Sequence, residues 1–277
     1  MGIVDRIQDE NVRKRIQGYI NNFPRRLSHD NATKNPNLAK VMEQFCKDDD
    51  VICLPKENTI QIGVSLEKPP DLVLPSQAVE HAIRAASHRV LMHFCICREA
   101  MACKDYGIEL GCIFLGDAAK KIHPELGRPA TVEEALDHAR RCREAGLVHS
   151  IGRSSVDAVW LAVGPPQKLL TICNCCPCCC ITRTIPYSGA FLGDHYSRMP
   201  GVSVEVTGEC TACGICEQEA CIFEGIRVAG DRAVVNENCR GCGRCAGLCP
   251  EGAIEVKVGD PDYVAKTIAR LARIDYT

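Results

Sequence analysis

Aromatic residues are scarce in this 277-residue chain, at 5% with a single tryptophan, and nothing in that composition suggests a flavin site. No apolar run approaches the ~20 residues that a membrane-spanning helix needs, so no membrane span is expected. The opening stretch, MGIVDRIQDENVRKRIQGYI, is amphipathic and charged and has no uninterrupted apolar segment of the kind a secretory signal uses. Neither sign of charge dominates: 33 basic against 35 acidic side chains leave a formal charge of −2. That balance argues against a dedicated nucleic-acid surface. The phosphate-cradling pattern G-x-x-x-x-G-K-[ST] is missing, as are a dinucleotide fingerprint and a G-x-S-x-G elbow. Nucleotide-driven chemistry and serine hydrolysis are thereby excluded as first readings.

What the chain has in excess is cysteine, 21 residues of it. A secreted disulfide scaffold is typically short, whereas this chain is 46% apolar and able to bury a core without covalent staples. The odd number and the missing signal point to thiols in a reducing compartment, so metal binding in the cytoplasm is the expectation. The strongest pattern is CTACGICEQEAC followed by CRGCGRCAGLCP, which places Cys210, Cys213, Cys216 and Cys221 ahead of Cys239, Cys242, Cys245 and Cys249. Triplets at C-x2-C-x2-C plus a single cysteine suit iron–sulfur ligation. Zinc ribbons use pairs instead. Gly214, Gly241 and Gly243 allow backbone angles that aim N–H groups at sulfur, and Pro250 ends the second loop.

A second concentration lies in the middle of the chain. HFCICREAMACKDYGIELGC supplies Cys95, Cys97, Cys103 and Cys112, and TICNCCPCCC supplies Cys173, Cys175, Cys176, Cys178, Cys179 and Cys180. Six cysteines in eight residues are no packing preference. An extended chain would send Cys173 and Cys175 one way and Cys176, Cys178 and Cys180 another, with Pro177 fixing a bend. Further iron–sulfur binding, zinc, and redox thiols without metal all remain open for this group. His149 and His93 are candidate ligands, with a histidine bonded to a backbone carbonyl as the plainer alternative. Arg98 is either a donor that offsets cluster charge or an ordinary surface arginine. Cys46, Cys53 and Cys142 stand singly and read as small core residues.

The stretch 202–258 resembles bacterial-type two-cluster ferredoxins. The resemblance implies two [4Fe–4S] clusters with the fourth cysteine of each run serving the other cluster: Cys210, Cys213, Cys216 and Cys249 for one, Cys239, Cys242, Cys245 and Cys221 for the other. The match departs in the first run, where four residues rather than three separate Cys216 from Cys221 and Ile222 stands in place of the usual proline. The motifs CICR, EEALDHARRCREAGLVHSIG and ICNCCPCCC resemble a Cys-rich family of 4Fe–4S binding proteins from anaerobic bacteria and archaea. Together these resemblances imply an electron-transfer protein with a larger oxidoreductase as redox partner. An oxidoreductase whose middle cysteines are catalytic, or a redox or metal sensor, is the alternative.

The expected architecture is α+β: an N-terminal Cys-rich helical and small-sheet module followed by a ferredoxin-like domain. The boundaries are a helical segment over 1–70, a Cys-rich module over 71–195 and the ferredoxin domain over 202–277, joined by a linker near 190–203. Helices are expected over about 1–50, from Ser76 to about His93, over 131–146 behind a Thr131/Glu134 capping box, and at the C-terminus. NTIQIGVSL, LVHSIG, AVWLAV, KLLTIC and AIEVKV read as strands, and IRVAGDRAVVN as a hairpin.

Overall fold

The computed structural model describes residues 3–22, 40, 43–62, 74–187 and 193–277. Helix and strand are mixed throughout. Most of the helix expected behind Asn35 and Pro36, and the Pro-rich stretch after Ile62, lie outside the described residues.

A seven-stranded sheet forms the frame, in the order β5 (Gly127–Pro129), β3 (Arg89–Met92), β4 (Ile113–Leu115), β7 (Leu170–Cys175), β6 (Val148–Arg153), β1 (Asp50–Cys53), β8 (Tyr196–Arg198). Its neighbours pair antiparallel except β1 and β8, which run parallel. Strand alternation sends Ile113, Leu115, Ile151, Leu170 and Ile172 to one face, where helices α2 (Ser76–Ala85) and α4 (Val132–Glu144) cover them. Phe114, Val90 and Met92 go to the other, under α1 (Glu10–Asn22), α3 (Ile96–Ala100) and α5 (Ser155–Leu161). The capping box is present: Thr131 accepts from Glu134 N–H while Glu134 accepts from Thr131 N–H.

The C-terminal part holds a three-stranded sheet, β2 (Ile60–Ile62), β12 (Ile254–Val258) and β9 (Val202–Val206), and the hairpin β10 (Ile226–Ala229) with β11 (Arg232–Val235). Helix α7 (Tyr263–Leu271) closes the chain. The first 62 residues therefore give β1 to the seven-stranded sheet and β2 to the three-stranded one, and one buried core runs from Ile52 through Ile83 and Val256 to Tyr276. Arg270 of α7 also clamps the Asp50 carboxylate of β1.

Three local expectations are corrected. AVWLAV is the helix α5, not a strand. A short apolar run does not reveal its own period, and the deciding contact is remote: Asp49 accepts the Ser155 N–H at 2.9 Å and its hydroxyl at 2.6 Å, capping the helix from beside β1. The helix from Ser76 stops at Ala85, and Arg89–Met92 becomes a strand, because Arg89 turns back to hydrogen-bond the carbonyls of Ile83, Arg84 and Ala86. The stretch expected as a linker carries β8 and the start of β9, each paired in a sheet.

Candidate metal centres

All 21 cysteines are unpaired thiols. Most of those named as candidates fall into four groups, and strand and turn geometry decides the membership of each.

In the C-terminal part, Cys210, Cys213, Cys216 and Cys249 line one small hollow, and Cys221, Cys239, Cys242 and Cys245 line a second. The two runs thus exchange their fourth cysteine. The extra residue in the first run is absorbed as a π turn over Cys216–Ala220, whereas the second run uses the short α-helix α6, Arg244–Leu248. A wider turn over four residues and a narrower one over three deliver Cys221 and Cys249 to equivalent places. Backbone N–H groups aim at the sulfurs: Gly225 at Cys221 (3.1 Å), Ala233 at Cys210 (3.3 Å) and Gly241 at Cys239 (3.4 Å). Gly243 sits at φ +73° with a Cβ position 2.2 Å from the Thr59 hydroxyl, so only glycine fits where the loop passes β2. Ile222, in place of proline, is buried among Cys53, Cys175 and Phe223.

Cys53, expected as a plain core residue, is fully buried and shares a buried apolar group with Cys242. The Cys53 thiol, ahead of other causes, draws the Cys242 thiol down to about 7, while Cys53 itself is pushed well up. No local signal in DVIC indicates this contact.

Cys95, Cys97, Cys112, Cys173, Cys175 and Cys180 line one pocket under Tyr19, Asp157, Trp160 and Tyr196. Their thiols influence one another in succession, Cys95 with Cys97, Cys97 with Cys180, Cys180 with Cys175 and Cys175 with Cys173, and Cys112 meets Cys173 at 3.8 Å. Hydrogen bonds from Cys175 and then Cys97 hold Cys180 well below the ordinary thiol range, although burial opposes it. Burial pushes the Asp157 carboxyl up to about 6.

Cys103, Cys176, Cys178 and Cys179 form a separate tetrad whose sulfurs all lie within 4.8 Å of one another. Cys178 is 3.5 Å from Cys103 and 3.4 Å from Cys179. The expected division of the TICNCCPCCC run is corrected here. The turn over 177–179 carries Cys180 back to the side of Cys173 and Cys175, and Cys179 stays with Cys176 and Cys178.

Arg98 lies between the two groups and is no surface residue, being 1% exposed. Its guanidinium donates to the carbonyls of Gly107, Leu110 and Asn174. Burial opposes its charge, yet the nearby sulfurs of Cys95 and Cys176 raise its basicity. His149 faces away from the thiols: its Nδ1 meets Asn174 Oδ1 at 2.8 Å, and burial lowers it to about 4. His93 Nε2 meets the Pro124 carbonyl at 3.0 Å. Neither ring reaches the six-thiol pocket or the tetrad.

Among the described residues no helix is long and apolar enough to cross a membrane. No curated protein and no solved structure matches the chain. A family model described as a 4Fe-4S binding domain matches residues 233–255, the stretch that holds Cys239, Cys242, Cys245 and Cys249. The chain therefore carries a ferredoxin-type iron–sulfur domain near its C-terminus, with a place for at least one [4Fe–4S] cluster.

Proposed function

We propose that this protein is a one-electron carrier with two [4Fe–4S] clusters in its C-terminal part and a further iron–sulfur cluster in the six-thiol pocket. The observation that carries the reading is the exchange of Cys221 and Cys249 between the two C-terminal hollows, the arrangement two-cluster ferredoxins use. Clusters held by cysteine thiolates supply single-electron transfer. The residues of this chain supply the rest. Cys210, Cys213, Cys216 and Cys249 hold one cluster, and Cys239, Cys242, Cys245 and Cys221 hold the other. The N–H groups of Ala233, Gly225 and Gly241 stabilise their reduced, more negative state.

Two features support an internal route. Cys53 touches Cys242 and shares a buried apolar group with Cys175 and Cys180 of the six-thiol pocket. At the far end Cys213 is exposed, which suits exchange with a larger oxidoreductase as partner. A second reading, an oxidoreductase with reactive dithiols, is favoured by the surplus in that pocket: six thiols where a cubane takes four.

The test is anaerobic purification with iron and acid-labile sulfide counted per chain. About twelve irons are expected from three cubanes at four irons each. About eight, with all six middle thiols open to alkylation, would favour the dithiol reading. Protein without labile sulfide would sink the proposal.

A further inference from the structure

We infer that Cys103, Cys176, Cys178 and Cys179 are not ligands of an iron–sulfur cluster but hold one mononuclear divalent ion, zinc or iron, in a tetrahedral thiolate site. The inference goes beyond the electron-carrier reading, which assigns no role to these four, and it stands whether or not the six-thiol pocket holds a cluster.

The argument begins with spacing. A tetrahedral ion bound at about 2.3 Å to each sulfur requires the sulfurs to be about 3.8 Å apart. The contacts at 3.5 and 3.4 Å, and the limit of 4.8 Å on every pair, match that small polyhedron. A cubane interposes four irons and four sulfides and keeps its thiolates much further apart. Among the described residues this is the one group of three or more metal-ligating side chains packed so closely. The two C-terminal tetrads surround hollows instead.

The surroundings point the same way. The backbone amides of Asp105 and Tyr106 beside Cys103 favour its thiolate form. Arg98, nearly fully buried, lies beside Cys176, and its Nε has no hydrogen-bond partner. Four thiolates around a divalent ion carry a net charge of about −2, which one buried guanidinium partly offsets. Leu110, Cys142 and Leu147 pack with Cys176 and Cys179 on the inner side of the site. On binding, each thiol loses its proton to solvent as its sulfur bonds the metal, with no change of oxidation state. The ion would pin the turn at Pro177 to the 103–106 loop and so fix Cys180 in the neighbouring pocket.

The test compares the full-length wild-type protein with Cys178→Ser and Cys103→Ser, purified anaerobically, with zinc, iron and acid-labile sulfide counted per chain. Each variant should lose one metal ion and no sulfide. A loss of several irons together with sulfide would overturn the inference, because the tetrad would then belong to a cluster. Wild-type protein grown on cobalt in zinc-depleted medium provides a check that needs no variant. Intense tetrahedral thiolate–cobalt absorption is expected, and its absence, with a Cys178–Cys179 disulfide found by mass spectrometry, would equally overturn it. The sulfide count of the wild type answers separately for the electron-carrier reading.

Discussion

At the scale of single residues, the structure assigns work to side chains that the sequence leaves anonymous. The buried Cys53 thiol lies beside Cys242, where a hydrogen bond from it to a cluster-bound sulfur would stabilise the reduced form. Cys53→Val should leave the iron count unchanged and make one cluster harder to reduce, with its midpoint in an electron-paramagnetic-resonance titration moving to more negative potential. His149 is buried and neutral, lowered from 6.5 to about 4. Between these values the unfolded chain binds the proton that the folded chain refuses, so stability falls as pH drops through that window and levels off below it. The slope from this residue is at most about 1.4 kcal/mol per pH unit. His149→Gln should show a shallower loss than wild type in urea unfolding between pH 7 and 5. An equally steep loss in the variant would remove His149 as the cause. Both histidines near the thiols were legible as candidate ligands. Their partners, Asn174 on the neighbouring strand β7 and the Pro124 carbonyl, are distant in sequence, which a local pattern does not report.

At the scale of elements, turns and caps decide which thiol goes where. The π turn at Cys216–Ala220 lets a run with one extra residue reach the same hollow as its regular counterpart. Ile222 just beyond it fills the buried seam beside Cys53 and Cys175. Ile222→Ala should cost about 2–5 kcal/mol in chemical unfolding by opening a cavity there. Asp49 caps α5 through two bonds to Ser155. Asp49→Ala should lower stability by about 1–2 kcal/mol, and Asp49→Asn, which keeps an acceptor, should recover part of it. Equal midpoints for wild type and Asp49→Ala would mean that the cap adds nothing to stability.

At the scale of the whole molecule, the C-terminal part leans on the N-terminal part. Strand β2 pairs with β12, α7 packs on α2, and Tyr276 returns to hydrogen-bond Ser87 through its carbonyl. A fragment of residues 202–277 should lose iron and be cleaved quickly in limited proteolysis, whereas residues 43–277 should retain their cysteine loops intact. Equal protease resistance of the two would show that the shared sheet contributes nothing to the loops. The segmentation at 70 and 202 follows changes in composition. Hydrogen-bonded pairing between residues about 195 positions apart has no compositional mark.

The sequence by itself determined the chemistry. Eight thiols in two triplets with singles suit iron–sulfur ligation, and six more in a run of eight residues mark a second thiol site that metal or redox thiols could use, since side-chain identity and short spacing are local properties. It also determined α4 with its capping box, the terminal helix and the strands at 148–153 and 170–175, whose periodicity is carried by consecutive residues. The partition of the ten middle thiols into a six-membered pocket and a tight tetrad was decided only by the tertiary structure. So was the approach of Cys53 to Cys242. Which sulfurs meet depends on a turn that reverses the chain and on a sheet that joins distant strands, and those are properties of the closed fold.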